Sequence, residues 1–353
     1  GSVCSAGVWP SPNPDHVMRW KFGREAEMAA GAFTVSRSSK RFDVARAQRA
    51  ARLAKDSIRS VEVLEFPELQ GIAGAEYARH DDEPAGVAEA IEYHYYPRFA
   101  GDELPPSPEA TAVALADRLD TLVGIFGIGE PPTGSKDPFA LRRASLAVIR
   151  MLIGLGKPLS LPELLQTTLE QHTAELSSDT PNIVSKYITE RLGNWYDDDG
   201  INISVVRAAL AAGATDLFDI DLRVRALNAF AKTETAEHLA AANKRVANIL
   251  AKADNLDGTL ADPNLFVHEA EHALHEAISR VGSTLAPLLA DRNYQSALDE
   301  LAQLRGPVDA FFDGVMVNAE DPTERLNRLR LLDGLRVLFT QVADLALLSS
   351  AAE

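Results

Sequence analysis

The chain has 353 residues, 46% of them hydrophobic, which is enough for two or three domains with real cores. Its formal net charge of −16 excludes a protein that is basic all over, so any nucleic-acid surface must be a local, segregated basic patch. Cys4 is the single cysteine, which excludes an internal disulfide and a cysteine zinc cluster and points to a reducing compartment.

Residues 1–40 open with Gly1-Ser2, carry Pro10, Pro12 and Pro14 close together, and lack the basic-then-apolar order of a signal peptide. They are expected to be a poorly ordered leader or a vector-derived segment. From Phe42 the pattern is almost wholly helical. "FDVARAQRAARLAKDSI" spaces Val44, Ala47, Ala51, Leu53 and Ile58 as one helix face, with Arg46, Arg49, Arg52 and Lys55 among them. A helix fits Pro84 to Tyr95 and ends at Pro97, and "ATAVALADRLDTLVGIFG" reads as a strongly apolar helix. A Gly/Pro-rich loop leads into "KDPFALRRA", where Asp137 is the expected N-cap and Pro138 the first helical position. "SLPELLQTTLEQHTAEL" and "NIVSKYITERLGNWYDD" are further amphipathic helices. Composition shifts around Asp216 to Asp221, so one helical domain is expected over 41–215 and a second over 216–353. The second reads as a bundle of Leu222–Phe230, Glu234–Leu250, Pro263–Leu288, Tyr294–Leu304 and Thr323–Leu348. Strand signals are scarce, and no apolar run reaches the ~18 residues of a membrane span.

Two motifs raise metal chemistry. His268-Glu269-Ala270-Glu271-His272 matches H-E-x-x-H, which on a helix sets two imidazoles on one face for zinc. Ala270, Ala273, Leu274, Ala277, Ile278 and Val281 form the apolar stripe of that helix, which turns His268, His272 and His275 toward solvent. A solvated His/Glu surface therefore competes with a zinc peptidase, whose third ligand could be Asp291. His80-Asp81 is the pair found in HD phosphohydrolases. A working cage also needs an upstream His, where only His16 is available, and a downstream Asp, for which Asp117 and Asp120 are candidates. An HD-type metal-dependent phosphohydrolase is thus one alternative; hydrogen bonding of His80 and Asp81 within a helical domain is the other.

A more specific signal is carried by longer stretches. "EFPELQGIAGAEYARHDDE", "YYPRFAGDELP", "ALADRLDTLVGIFGIGEPPTGSKDPFALRRA", "ANKRVANIL" and "PVDAFFDGVMVNAEDPTERLNRLRLLDGLRVLF" resemble the C-terminal part of the bacterial-type glycyl-tRNA synthetase β subunit. The likeness runs from about Gln48 to Leu348. It implies a mainly α fold, an HD-like helical domain followed by a helical-bundle anticodon-binding domain of the DALR type. It implies glycine tRNA and the α subunit as partners, a cytoplasmic location and no membrane. ATP and Mg are expected on the α subunit, with no cofactor and no catalytic centre in this chain. The N-terminal domains of such a β subunit would be absent. The chain departs from the family where His-Asp-Gly-Glu becomes His80-Asp81-Asp82-Glu83, and the residues before about Ser38 are expected to be unlike it.

RNA is held through phosphates by Lys and Arg and read at exposed bases by hydrogen bonds and stacking. In "ANKRVANIL", Lys244 and Asn248 share a polar face with Asn243 and Arg245 at its edge. Asn243 and Asn248 suit base edges; Lys244 and Arg245 suit phosphate; a cap at Asn243 with merely solvated cations is the bland alternative. In "DPTERLNRLRLLDGLRVLF", Arg325, Asn327 and Arg328 flank a leucine stripe. Asp309 is expected to pair with these arginines, and Phe311 or Phe312 could stack on bases. In the first domain, Lys136, Arg142 and Arg143 sit at a loop and helix start, a ready phosphate site. Arg98 and the Arg46 to Lys55 helix are further cationic candidates.

Overall fold

The computed structural model describes residues 42–55, 61–133, 136–172, 174–253 and 258–351. The expected leader lies outside them. The described residues form helices joined by turns and loops, with a single isolated bridge between Thr133 and Lys136 and no strand. The chain forms two compact units, Gly1–Arg191 and Leu192–Glu353.

The first unit contains α1 (Val44–Leu53), α2 (Val61–Glu65), α3 (Ile72–His80), α4 (Ala85–Tyr93), α5 (Pro108–Gly127), α6 (Leu141–Leu155), α7 (Leu161–Gln171) and α8 (Thr180–Thr189). Small side chains let α1, α3, α4 and α5 approach closely: Ala50, Ala51, Ala75, Ala88, Ala90 and Ala110 all sit in one core cluster. α5 is the centre of the unit and is buried on nearly every face, because it packs against α1, α4, α6, α7 and α8. Ser107 starts it by accepting a hydrogen bond from the Ala110 amide, with Pro108 at the first helical position. The polar residues of this interior are satisfied internally. Arg118, 9% exposed, donates to the carbonyls of His94 at 2.7 Å and Tyr95 at 2.5 Å, tying the chain after α4 to α5. Lys55, expected among the surface cations of α1, is instead 7% exposed; its ammonium meets Asp117 at 2.7 Å and lies over the Tyr95 ring at 4.3 Å.

The stretch "NIVSKYITERLGNWYDD" is two helices, not one, because its halves bury their apolar faces in different cores. α8 packs on α5, α6 and α7, whereas α9 (Leu192–Asp198) packs on α10 (Ile203–Leu210). The composition change near Asp216 falls inside the second unit, since α10 packs against α11 (Leu217–Phe230) and against the C-terminal 3-10 turn Leu345–Ala351. The second unit continues with α12 (Glu234–Leu250), α13 (Glu269–Ala290), α14 (Tyr294–Ala302), α15 (Arg305–Gly314) and α16 (Pro322–Thr340). α13 starts later than the expected Pro263, where a short 3-10 turn, Pro263–Leu265, stands instead. α15 was not among the expected elements; its apolar face is short, reduced to Val308 and Phe311. Asp219 locks α11 to α14 by accepting from the Tyr294 hydroxyl at 2.5 Å and from Arg292 Nε at 3.0 Å.

Candidate nucleic-acid interface

α12 opens with Thr233 as N-cap and with Glu234 and Glu237 in its first turn, where carboxylates complement the helix dipole. Its inner face is Leu239, Asn243, Val246 and Leu250, all buried. Lys244, Asn248 and Lys252 follow one another at intervals of four along the outer face, and are exposed. This face forms one wall of an open groove of about 1350 Å³. The opposite wall is the segment Phe312–Asn318, which leaves α15, together with Arg325 and Leu329 of α16.

The groove is lined by four cations, Lys244, Arg245, Lys252 and Arg325, and by one carboxylate, Asp313. Among the described residues none of these four cations forms an ion pair. Arg245 lies over the Phe312 ring at 4.1 Å, and Phe312 meets Phe311 edge-on with centroids 5.6 Å apart. Phe311 is fully buried, so Phe312 is the aromatic that reaches the groove. Met316 is 75% exposed beside it. Cations for phosphate, an amide for base edges and a mixed aromatic and thioether floor are the components of a single-stranded RNA groove.

Of the residues predicted in this unit, Lys244, Arg245, Asn248 and Arg325 come together here. Asn243, Asn327 and Arg328 do not, because all three occupy core positions. Asn243 is 1% exposed and its amide reaches Asp344 at 3.4 Å. Asn327 clasps the backbone of Asp262, accepting from its amide at 2.8 Å and donating to its carbonyl at 3.0 Å. Arg328, 3% exposed, pairs through Nε with Glu271 at 2.9 Å and donates through Nη1 to the Met316 carbonyl at 3.1 Å. Asp309 pairs with Arg305 at 3.9 Å rather than with Arg325 or Arg328. Lys252 and Met316 were missed; the i, i+4, i+8 series from Lys244 was the available signal for Lys252.

The histidines of H-E-x-x-H stand where the stripe placed them. His268 is the N-cap of α13, and His272 and His275 flank the Phe266 ring with centroids at 5.1 and 5.5 Å. Asp291 caps the far end of this 22-residue helix, roughly 30 Å away, and so cannot share a site with them. The surprise is Glu271, which is 1% exposed and accepts from the Val267 amide at 2.9 Å and the His268 amide at 2.8 Å. Burial would raise its pKa, but the hydrogen bonds from Arg328 and from these amides outweigh that and hold the carboxyl below its ordinary range.

In the first unit His80 and Asp81 are exposed at the end of α3. Asp117 is taken by Lys55, and Asp120 meets His172 Nε2 at 3.2 Å. Among the described residues no three His, Cys, Asp or Glu side chains stand together as a metal set. His16, the upstream ligand that an HD-type phosphohydrolase would need, lies outside the described residues, and the described His80, Asp81, Asp117 and Asp120 form no ligand cage among themselves. The expected phosphate site at α6 is filled by the chain itself. Ala140, in the left-handed region at φ 55°, is the N-cap, and the Asp137 carboxylate accepts from the amides of Leu141 at 2.8 Å and Arg142 at 3.0 Å. Lys136 and Arg143 are exposed nearby, whereas Arg98 is tied to Asp102 at 2.9 Å.

The chain matches the family model described as "Glycyl-tRNA synthetase beta subunit" over residues 18–211 and the model "DALR anticodon binding domain" over residues 239–348. The first match begins within the stretch expected to be unlike the family. A glycine–tRNA ligase beta subunit of Haemophilus influenzae (strain PittGG) is 48% identical over 309 residues, covering 87% of this chain and 44% of the relative. That of Actinobacillus pleuropneumoniae serotype 7 (strain AP76) is 49% identical, with the same coverage. That of Chromohalobacter salexigens is 49% identical over 310 residues, covering 86% of this chain and 44% of the relative. The chain thus spans less than half the length of these relatives.

Proposed function

The chain belongs to the glycyl-tRNA synthetase beta-subunit family, and we propose that it is the tRNA-binding portion of such a subunit, receiving glycine tRNA in the groove between α12, the Phe312–Asn318 segment and α16. The observation that carries this reading is the sign of the groove. In a chain with 51 acidic and 35 basic side chains, one surface gathers four exposed, unpaired cations against a single carboxylate. Such local segregation is what a polyanion requires of an acidic protein. Phe312, Met316 and Asn248 add surfaces for unstacked bases, which favours the anticodon loop over a duplex. Lys136 and Arg143, exposed beside the start of α6 in the first unit, supply further contacts to the tRNA body.

On this reading the chain recognises and positions tRNA, while the α subunit binds glycine, ATP and Mg and performs the chemistry in the cytoplasm. Correct anticodon contacts help seat the acceptor end in the partner's active site. Among the described residues no helix is long and apolar enough to cross a membrane. Filter binding with glycine tRNA and with a tRNA of another anticodon tests the proposal. Glycine tRNA should bind more tightly, and Lys244→Ala with Arg245→Ala should weaken it by roughly tenfold or more at physiological salt. Unchanged affinity in the double variant overturns the assignment of the groove.

A further inference from the structure

The H-E-x-x-H stretch meets one of the three predicted RNA residues that turn inward, Arg328. Glu271, the inner acid of that motif, is buried against Arg328, and neither side chain reaches solvent. One Glu271 oxygen, Oε2, closes the start of α13 through the Val267 and His268 amides, and the other, Oε1, receives Arg328 Nε. The guanidinium then spends its remaining donors on the groove. Nη1 holds the Met316 carbonyl and Nη2 meets Glu324 at 3.2 Å, one residue before Arg325 of the groove wall. Arg328 is thus hydrogen-bonded to the segment carrying Met316 and ion-paired to the first turn of α16, the two components of the wall that faces α12.

We infer that Glu271 and Arg328 are positioning residues for RNA recognition, fixing the wall of Phe312–Asn318 and Arg325 at the correct distance from the Lys244–Asn248–Lys252 face without touching RNA. The inference rests on the RNA reading of the groove. Only an arginine serves here: its planar fork spans a carboxylate and a carbonyl at once, whereas a lysine ammonium is a single point that can keep Glu271 or Met316 but not the whole set. A buried pair of this kind adds little net stability over an apolar substitute, so its value lies in the geometry it imposes. Val315 and Val317 anchor the wall from within, while Met316 between them is 75% exposed, so what fixes the backbone at Met316 is the bond from its carbonyl to Arg328.

The test is the affinity of the whole chain for glycine tRNA across a salt series, with Arg328→Lys, Glu271→Gln and Lys244→Ala compared with the parent. Arg328→Lys should keep its far-ultraviolet circular dichroism, weaken binding about tenfold, and leave the salt slope of the parent, since no phosphate contact is lost. Hydrogen exchange at the amides of residues 315–318 should quicken in the same variant. Glu271→Gln, which keeps size and one acceptor, should move both readouts in the same direction by less, and serves alone if Arg328→Lys fails to fold. Parental affinity in a folded Arg328→Lys or Glu271→Gln overturns the positioning role. So does a salt slope reduced as in Lys244→Ala, because Arg328 would then be a direct phosphate contact. If Lys244→Ala loses affinity while Arg328→Lys does not, only the positioning role falls; if neither changes, the RNA reading of the groove falls with it.

Discussion

The groove makes a quantitative prediction about salt. Its four unpaired cations, Lys244, Arg245, Lys252 and Arg325, can displace up to four counterions from an RNA strand. For single strands the slope of log affinity against log salt is about −0.7 per phosphate neutralised, so the groove alone should give about −2.8. Raising salt from about 50 to about 200 mM should then weaken binding about fiftyfold. Lys244→Ala removes one contact and should bring the slope to about −2.1, with a fall of about twentyfold over the same range. Asp313 opposes the RNA from within the groove, so Asp313→Asn should tighten binding at low salt and lose that advantage as screening grows. Filter binding at four or five salt concentrations measures all three slopes. Parallel lines for the parent and Lys244→Ala, or weaker low-salt binding by Asp313→Asn, would refute the reasoning.

Breaking the buried Lys55–Asp117 pair by Lys55→Met should destabilise the first unit by about 3 kcal/mol, because the largely buried Asp117 carboxylate loses its cation at 2.7 Å. A denaturant midpoint equal to or above that of the parent would contradict this. Burial, with the nearby Lys55 ammonium, pushes the pKa of His94 down to about 3 from 6.5, while its Nδ1 lies 2.6 Å from the Ile91 carbonyl. The unfolded chain therefore binds a proton that the folded chain refuses between those values. Stability should fall as pH drops through this window, by on the order of 4 kcal/mol at its foot. Urea unfolding of His94→Gln should show a shallower acid loss than the parent, and parallel pH profiles would disprove the assignment. Asp82 holds φ 57° where the helix end is closed by the Glu83 amide on the Ala78 carbonyl at 2.9 Å. Glycine adopts this left-handed conformation without the cost a side chain carries, so Asp82→Gly should raise stability by about 0.5 kcal/mol. A lower thermal midpoint would argue against strain there.

Period and polarity made the helices and the groove's α12 wall legible. Lys244, Asn248 and Arg325 are polar residues outside apolar stripes, and they are exposed. What misled was identity at positions inside those stripes. Asn243 continues the series Leu239, Val246 and Leu250, and Arg328 stands three, four and seven residues before Leu331, Leu332 and Leu335. Spacing alone places both inside; their polarity suggested otherwise because a buried amide or guanidinium needs partners that only the fold supplies. Asp344, Glu271 and the Met316 carbonyl are distant in sequence and close in space. Lys55 misled for the same reason, since Asp117 and Tyr95 belong to other segments. The H-E-x-x-H match was read correctly for its histidines, but Glu271 shares their helix and faces the opposite way. The opposite wall of the groove was the least legible part, because Val315, Met316 and Val317 follow the end of α15 with no helical period, and the Met316 carbonyl is held by Arg328 of α16.

Footprinting of glycine tRNA by the whole chain tests the central claim most directly. Protection should cover the anticodon loop, vanish with Lys244→Ala plus Arg245→Ala, and weaken when the anticodon is replaced. An anticodon loop cleaved equally with and without the chain, or equal affinity for tRNAs of any anticodon, would contradict it.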